Sequence, residues 1–346
     1  MNQIVSVLKG TTQVTRRCVA LLSGGLDSML AIRLMQEQGI TVEGLNFKTL
    51  FTCCQDTAGR AAEELGIRVT VLGAEDDYLE LIKSPRFGYG KGANPCVDCR
   101  IYMFQKALRY MEQIGADFIV SGEVIGQRPM SQKKRDLEII AHHSNLADLL
   151  LRPLSAQLLP PTLPEREGWV NRDQLCNFYG RSRKGLIALA NKFHFKNIPA
   201  PSTGCALTEP QFGRKVLDLV QLEPAAGNWD YRLLNMGRHF RLDAQTKVVV
   251  GRQESENDQL EYAHELPQAS STALLTPVNF QGPLSLILGP VTPESLGFCG
   301  GLLVRYSKIS DNRQPRVQVR TRQRTFQIKP LVSHRARQAH TLASLP

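Results

Sequence analysis

The stretch that most restricts the fold is residues 18–35, CVALLSGGLDSMLAIRLM. Cys18-Val19-Ala20-Leu21-Leu22 is a short apolar run and predicts a buried strand. Leu30, Ile32 and Leu34, with Met29 and Met35 beside them, predict a helix. Ser23-Gly24-Gly25-Leu26-Asp27-Ser28 therefore falls on a strand-to-helix turn. There the first N–H groups of the helix have no internal partner and can hold an anion.

The alternation continues downstream. Residues 42–47 read as a strand, 57–65 as a helix and 68–72 as a strand. Over 101–114, Ile101, Phe104, Leu108, Met111 and Ile114 share one helical face, and 116–121 read as the next strand. Strands alternating with helices predict an α/β fold, a doubly wound parallel sheet that binds ligands at the carboxyl ends of its strands. Residues 171–195 read as helical and basic, and 221–230 as a linker. Beyond it, 247–251, 285–289 and 302–305 read as short strands around a helix-like stretch near 254–264. The expectation is a second, smaller α+β domain, with the division at 1–221 and 222–346.

No apolar run approaches the roughly 20 residues of a membrane helix. The first 17 residues carry neither the apolar core nor the small-residue cleavage pattern of a secretion signal. Eight cysteines without such a signal point to a reducing cytoplasm and to thiol or metal chemistry. The net charge is +10, and from Gly301 onward ten Lys/Arg face a single acid, Asp311. So one-sided a tail suggests a polyanion, most simply nucleic acid; the plainer reading is a solvated basic extension.

SGGLDS is not a Walker A loop, which needs a lysine before its last hydroxyl residue, and it lacks the dinucleotide G-x-G-x-x-G. Its residue types still suit a phosphate chain. Gly24 and Gly25 let the backbone come close, Ser23 and Ser28 offer hydroxyls, and Asp27 can hold Mg²⁺. The plainer reading is an ordinary glycine turn with Asp27 or Ser28 as a cap.

In GANPCVDCRIYMFQKA, Cys96 and Cys99 stand at the start of an amphipathic helix, a position that favours thiolates. Cys205 lies in the small-residue loop PAPSTGCALT, and Cys53 and Cys54 are adjacent. Three chemistries compete. Cys96, Cys99 and Cys205 could hold an iron–sulfur cluster with one iron open. Cys205 could instead carry sulfur that Cys96 or Cys99 resolves. A structural zinc would need a fourth ligand, from Cys53, Cys54 or a histidine. Cys18, Cys176 and Cys299 read as buried and unreactive.

SGGLDS resembles the pyrophosphate loop of the PP-loop ATPases, the adenine nucleotide α-hydrolases. DFIVSGEVIGQRPMSQ, residues 117–132, is similar to the TGExxGQxxSQ stretch of tRNA 4-thiouridine synthases of the ThiI type. LLLRPLS, residues 149–155, resembles the LRPL segment that follows there. The related tRNA 2-thiouridylases share the loop and an NPCxxC-like segment. The resemblance spans residues 16 to about 210. It implies a Rossmann-like HUP domain and a tRNA sulfurtransferase that adenylates a uridine carbonyl, releases pyrophosphate and replaces oxygen with sulfur.

By position it implies that Ser23, Gly24, Gly25, Leu26, Asp27 and Ser28 bind ATP and that Asp27 holds Mg²⁺. Phe47 would lie near the adenine, and Gly122, Glu123, Gly126 and Gln127 would close the pocket. Cys205 matches a sulfur-carrying cysteine, and Cys96 and Cys99 match the CxxC of cluster-dependent thiolation enzymes, with a 4Fe–4S cluster as the implied cofactor. The partners implied are tRNA and a sulfide or persulfide donor, with no membrane. Arg128, Lys133, Lys134 and Arg135 could meet phosphates. In the ThiI type an RNA-binding module precedes the loop and a rhodanese-like domain can follow; here about 15 residues precede it, and the expectation is a departure at both places. MGRHFRLDAQTKVVVGRQESENDQLE with GPLSLILG is similar to the RNA-binding module of NFACT proteins, which would supply the RNA grip. Two other readings stay open: a PP-loop ligase that transfers nitrogen, and an RNA-binding adaptor that holds ATP without catalysis.

Overall fold

The computed structural model describes residues 15–52, 56–201, 204–308 and 314–344. Over these residues the chain divides into two compact units. The first takes residues 15–48, 56–73 and 96–201, and the second takes 49–52, 74–95 and all that is described from 204 onward. Cys53 and Cys54 lie outside the described residues.

The first unit is a five-stranded parallel sheet. It holds β1 (Arg17–Leu21), α1 (Leu26–Gln36), β2 (Thr41–Lys48), α2 (Thr57–Leu65) and β3 (Val69–Gly73). After α3 (Asp76–Lys83), which belongs to the second unit, come α4 (Cys96–Ile114), β4 (Phe118–Val120), α5 (Lys134–His143), β5 (Leu150–Leu151), α6 (Leu163–Arg166) and α7 (Lys184–Lys192). The strand order is β3-β2-β1-β4-β5. Successive side chains of β1 serve opposite faces, as a strand's period of two requires. Cys18 and Ala20 join a core with Leu30, Ala62 and Ala190, while Val19 and Leu21 join one with Phe104 and Ile140. Both faces are covered by helices, so the doubly wound parallel sheet expected from the alternation is what forms. The order reverses between β1 and β4, and in such sheets the crevice beyond the carboxyl ends at that point is the binding place.

The second unit contains α8 (Pro210–Leu222), α9 (Asn228–Leu233), β6 (Arg238–Arg241), β7 (Lys247–Val250), α10 (Glu254–Glu265), β8 (Ser271–Pro277), β9 (Ser285–Leu288), α11 (Pro293–Arg305), β10 (Val317–Thr321), β11 (Thr325–Ile328) and α12 (His334–Gln338). Its antiparallel sheet runs β11-β10-β8-β9-β7-β6. Leu260 of α10 packs on Leu274 and Leu286, and Phe298 and Leu302 of α11 pack with Val248 and Val317. This is the expected α+β domain. Two earlier stretches of chain complete it: the Phe51 ring lies 6.4 Å from Tyr78, 6.1 Å from Phe212 and 6.1 Å from Tyr231.

Four local expectations are corrected. Residues 302–305 are the end of α11, not a strand. Thr292 caps that helix by accepting from Ser295 N at 3.1 Å, with Pro293 at its first position. Gly300 lets it press close, since a Cβ there would stand 2.6 Å from Pro330. Residues 171–195 are helical only at Arg172–Gln174 and in α7. Between them tertiary hydrogen bonds draw the chain out: Cys176 N donates to Pro153 O and Phe178 N to Leu154 O. Residues 221–230 are no linker, because Trp229 is buried and its Nε1 donates to Ala263 O at 2.9 Å. The basic tail is built into the sheet as β10 and β11, with Val317 and Val319 fully buried.

Candidate active site

Residues 23–28 leave the carboxyl end of β1 at the switch point, as the sequence pattern requires. Gly24 has φ +77°, and a Cβ on it would stand 2.5 Å from the backbone of Thr57. Thr57 Oγ1 donates to Ser23 O at 3.2 Å, and Asn46 Nδ2 to Leu22 O at 2.7 Å, so α2 and β2 hold the loop from one side. Gly25 precedes α1 with ordinary backbone (φ −84°), and among the described residues no side chain caps the helix. Among the described residues a Cβ on Gly25 would meet only Ser23 Oγ, at 3.5 Å. The helix mouth is therefore open on that side, with its N–H groups and the positive end of its dipole facing out. Ser28 Oγ donates to Gly25 O at 2.8 Å and lies 3.3 Å from Ser23 Oγ. These features fit a phosphate chain.

The loop after β4 closes on this mouth. Gly122 passes so near that a Cβ would come within 2.5 Å of the Asp27 backbone. Asp27 accepts a hydrogen bond from Gln127 and feels Arg183 and Arg128; burial nevertheless pushes its carboxyl above the usual carboxylate range. Gln127 Oε1 is buried and has no protein partner among the described residues, an acceptor that a bound group's donors would satisfy.

Glu123 turns inward. It is 1% exposed, and its Oε2 accepts from Arg152 Nε at 2.9 Å and Ser121 Oγ at 3.2 Å, while its Oε1 lies 3.4 Å from Arg100 Nε. Arg152 is the arginine of LLLRPLS and Arg100 directly follows Cys99. Three sequence stretches thus meet at one buried carboxylate. Ser155, from the same LLLRPLS, accepts from Ile125 N at 3.1 Å and donates to Phe178 O at 2.7 Å.

Cys96 opens α4 and Cys99 lies in its first turn, within the first unit. Cys205, in the second unit, precedes the turn Ala206–Thr208, and its Sγ is 3.6 Å from Phe51 O. Among the described residues no group of three or more His, Cys, Asp or Glu gathers as a metal ion needs. Cys299 is buried, donates to or accepts from Ser285 Oγ at 2.9 Å, and has its thiol pushed up to about 12; burial pushes Cys176 up to about 11 and raises Cys18 strongly. All three suit the inert role expected of them.

Phe47 is half-buried beside Leu72 in the core between the sheet and α4, two residues past the strand position that pairs with Leu21. The sequence reading misses Asn46, Thr57 and Arg183, which position the loop or face Asp27. Nothing in their local pattern marks them, because each acts on a distant stretch of chain. A separate cleft of about 410 Å³, lined by Arg17, Glu43, Arg68, Thr70 and Tyr110, lies where β1 and β3 begin, away from these loops.

Residues 16–159 match the family described as the tRNA methyl transferase HUP domain, and residues 237–340 match the NFACT protein RNA binding domain. The chain is similar to curated proteins described as tRNA-specific 2-thiouridylase MnmA. That of Sulfurimonas denitrificans is 31% identical over 121 residues, 32% of this chain and 36% of the relative. That of Methylobacterium nodulans is 34% identical over 139 residues, 35% of this chain and 36% of the relative. The chain thus spans about a third of the length of the curated relatives it matches. A solved structure titled as a predicted subunit of tRNA methyltransferase, from Methanocaldococcus jannaschii, aligns at TM-score 0.30 and 16% identity over 40% of this chain and 69% of that one. In separate stretches the chain is thus similar to a tRNA methyl transferase HUP domain, over residues 16–159, and to an NFACT RNA-binding domain, over residues 237–340.

Proposed function

We propose that this protein is an ATP-dependent tRNA sulfurtransferase that makes a thiouridine. The observation that carries the reading is the open face of Gly25 at the uncapped start of α1, beside Asp27 and at the switch point of the sheet. ATP would supply the adenylyl group, turning a poor oxide leaving group into AMP. Ser23, Gly24, Gly25, Leu26 and Ser28 would hold the pyrophosphate end through backbone N–H groups and hydroxyls, with Asp27 on Mg²⁺. Gly122, Gly126 and Gln127 would border the nucleotide, and Glu123 would fix the loop from behind. Phe47 would limit the adenine end.

Sulfur delivery is assigned to Cys96, Cys99 and Cys205. Their thiols are the donor set of an iron–sulfur cluster with one open iron. Covalent carriage of sulfur on Cys205, resolved by Cys96 or Cys99, is the other route. Residues 1–221 would do the chemistry and 222–346 would grip tRNA, in the cytoplasm.

The test is pyrophosphate release from ATP on adding tRNA, followed by nucleoside analysis for thiouridine. Release without thiouridine would favour nitrogen transfer; ATP binding without release would leave an adaptor. Cys96→Ala and Cys205→Ala proteins should release pyrophosphate but form no thiouridine, and normal thiolation by either would refute the sulfur assignment. Iron and sulfide content of an anaerobic preparation separates cluster from persulfide.

A further inference from the structure

Tyr179 is 71% exposed; apart from Tyr262, every other Phe, Tyr and Trp among the described residues is buried or half-buried. Its backbone is not loose. Residue 179 bridges Ile125 in parallel, Gly180 N donates to Ile125 O at 2.7 Å, and Phe178 N donates to Leu154 O at 2.8 Å. Phe178 points the other way, into the core beside Leu186, and a Cβ on Gly185 at the start of α7 would stand 2.6 Å from its ring. The Tyr179 ring lies across Gly126, whose missing Cβ would come 3.4 Å from the ring's Cζ. Gly126 also has φ +76°, so this backing is glycine-specific. The next residue is Gln127, the hydrogen-bond partner of Asp27.

The surroundings are cationic. Residues 128–135, RPMSQKKR, hold four cations and no acid, and 181–184, RSRK, hold three and no acid. Arg128, Lys133, Lys134, Arg135 and Arg181 are all exposed. Seven cations in two short stretches exceed what one nucleoside triphosphate needs and suit a longer phosphate chain. Tyr179 also adjoins the β4 side of β1, whereas Phe47 lies on the β2 side.

We propose that Tyr179 is a stacking platform for an RNA base at the mouth of the nucleotide pocket, with the flanking arginines and lysines on the adjoining phosphates. The proposal rests on the sulfurtransferase reading for the identity of the RNA and on Tyr179's own setting for the contact. A fixed aromatic ring backed on one side and wet on the other is what base stacking uses, and it is indifferent to sequence.

Tyr179→Ala, Tyr179→Phe and Tyr179→Trp proteins are compared for tRNA binding by filter assay, for the ATP KM in pyrophosphate release and for melting temperature. The alanine variant should bind tRNA about tenfold more weakly, melt like the parent and keep its ATP KM. The phenylalanine and tryptophan variants should bind like the parent. Unchanged tRNA binding by the alanine variant, or failure of the phenylalanine variant, overturns the platform. A raised ATP KM with unchanged tRNA binding overturns it in favour of adenine. Parent protein that binds tRNA yet releases no pyrophosphate refutes the enzyme reading alone, and the binding comparison still decides Tyr179. Parent protein that binds no tRNA overturns both.

Discussion

Gly24 and Gly25 stand side by side and are glycine for different reasons. The fold needs Gly24, whose positive φ and contact with Thr57 exclude a side chain. It does not need Gly25, which has ordinary φ and, among the described residues, open space beyond Ser23 Oγ. Gly25→Ala should change stability by less than about 1 kcal/mol while weakening ATP binding about tenfold or more. Calorimetric titration beside a thermal melt checks both, and tight binding by this variant would remove the phosphate role. Asp27 makes a second case. Burial lifts its folded-state pKa above that of the unfolded chain. Between the two values the fold keeps a proton that the unfolded chain has released, so stability falls as pH rises through that window and stays lower above it. Asp27→Asn should therefore raise the urea midpoint of the ligand-free protein at pH 7, with the gain vanishing as the pH falls toward about 4, the ordinary carboxylate pKa. The same variant should lose Mg²⁺-dependent ATP binding. A midpoint unchanged at pH 7 would mean that Asp27 carries no burial cost.

At the scale of elements, the buried Glu123–Arg152 pair ties the loop after β4 to β5, with side chains 1% and 7% exposed. Glu123→Gln should destabilise the protein by roughly 3 kcal/mol, because it leaves a buried guanidinium unpaired. A Glu123→Met, Arg152→Met double variant should recover much of that loss, and equal damage in both would show that the pair contributes through more than mutual compensation. The pair also explains which parts of this molecule could be read in advance. The strand, loop and helix at 17–36 and four of the five parallel strands follow from local periodicity, so most of the sheet and the glycine loop were legible, while the two-residue β5 is too short to show a period. That the GE of residues 122–123 and the arginine of LLLRPLS form one ion pair was not, because the pairing spans 29 positions. The same limit hid the extended path of 175–180, set by carbonyls of Pro153, Leu154 and Ile125, and the helix at 302–305, where the short apolar run Leu302-Leu303-Val304 fits either structure until its Thr292 cap is counted.

For the whole molecule, the tail's arginines divide by what they do. Arg320 pairs with Glu261 and Glu265, Arg322 donates to Ala269 O, and Arg305 donates to Ala336 O and Ala339 O, so these hold the second unit together. Arg324, over the Phe326 ring, and Lys329 are exposed and bridge to no acid among the described residues. If this unit grips tRNA, Arg324→Ala with Lys329→Ala should shallow the slope of log affinity against log salt by about one per cation and leave the melting temperature unmoved. A slope that does not change would place the RNA elsewhere on the chain.

The aromatic cluster around Phe51 has its own bearing on how the protein is made. Phe51 and Tyr78 leave the ribosome well before Phe212 and Tyr231, the rings they must meet, and Tyr231 ends fully enclosed. The C-terminal body waits for early chain to be threaded into it, so synthesis must be nearly complete before it can close. No single cut yields two self-sufficient halves: a fragment starting at residue 222 would leave Phe51, Tyr78 and Phe212 behind and open Tyr231 to water.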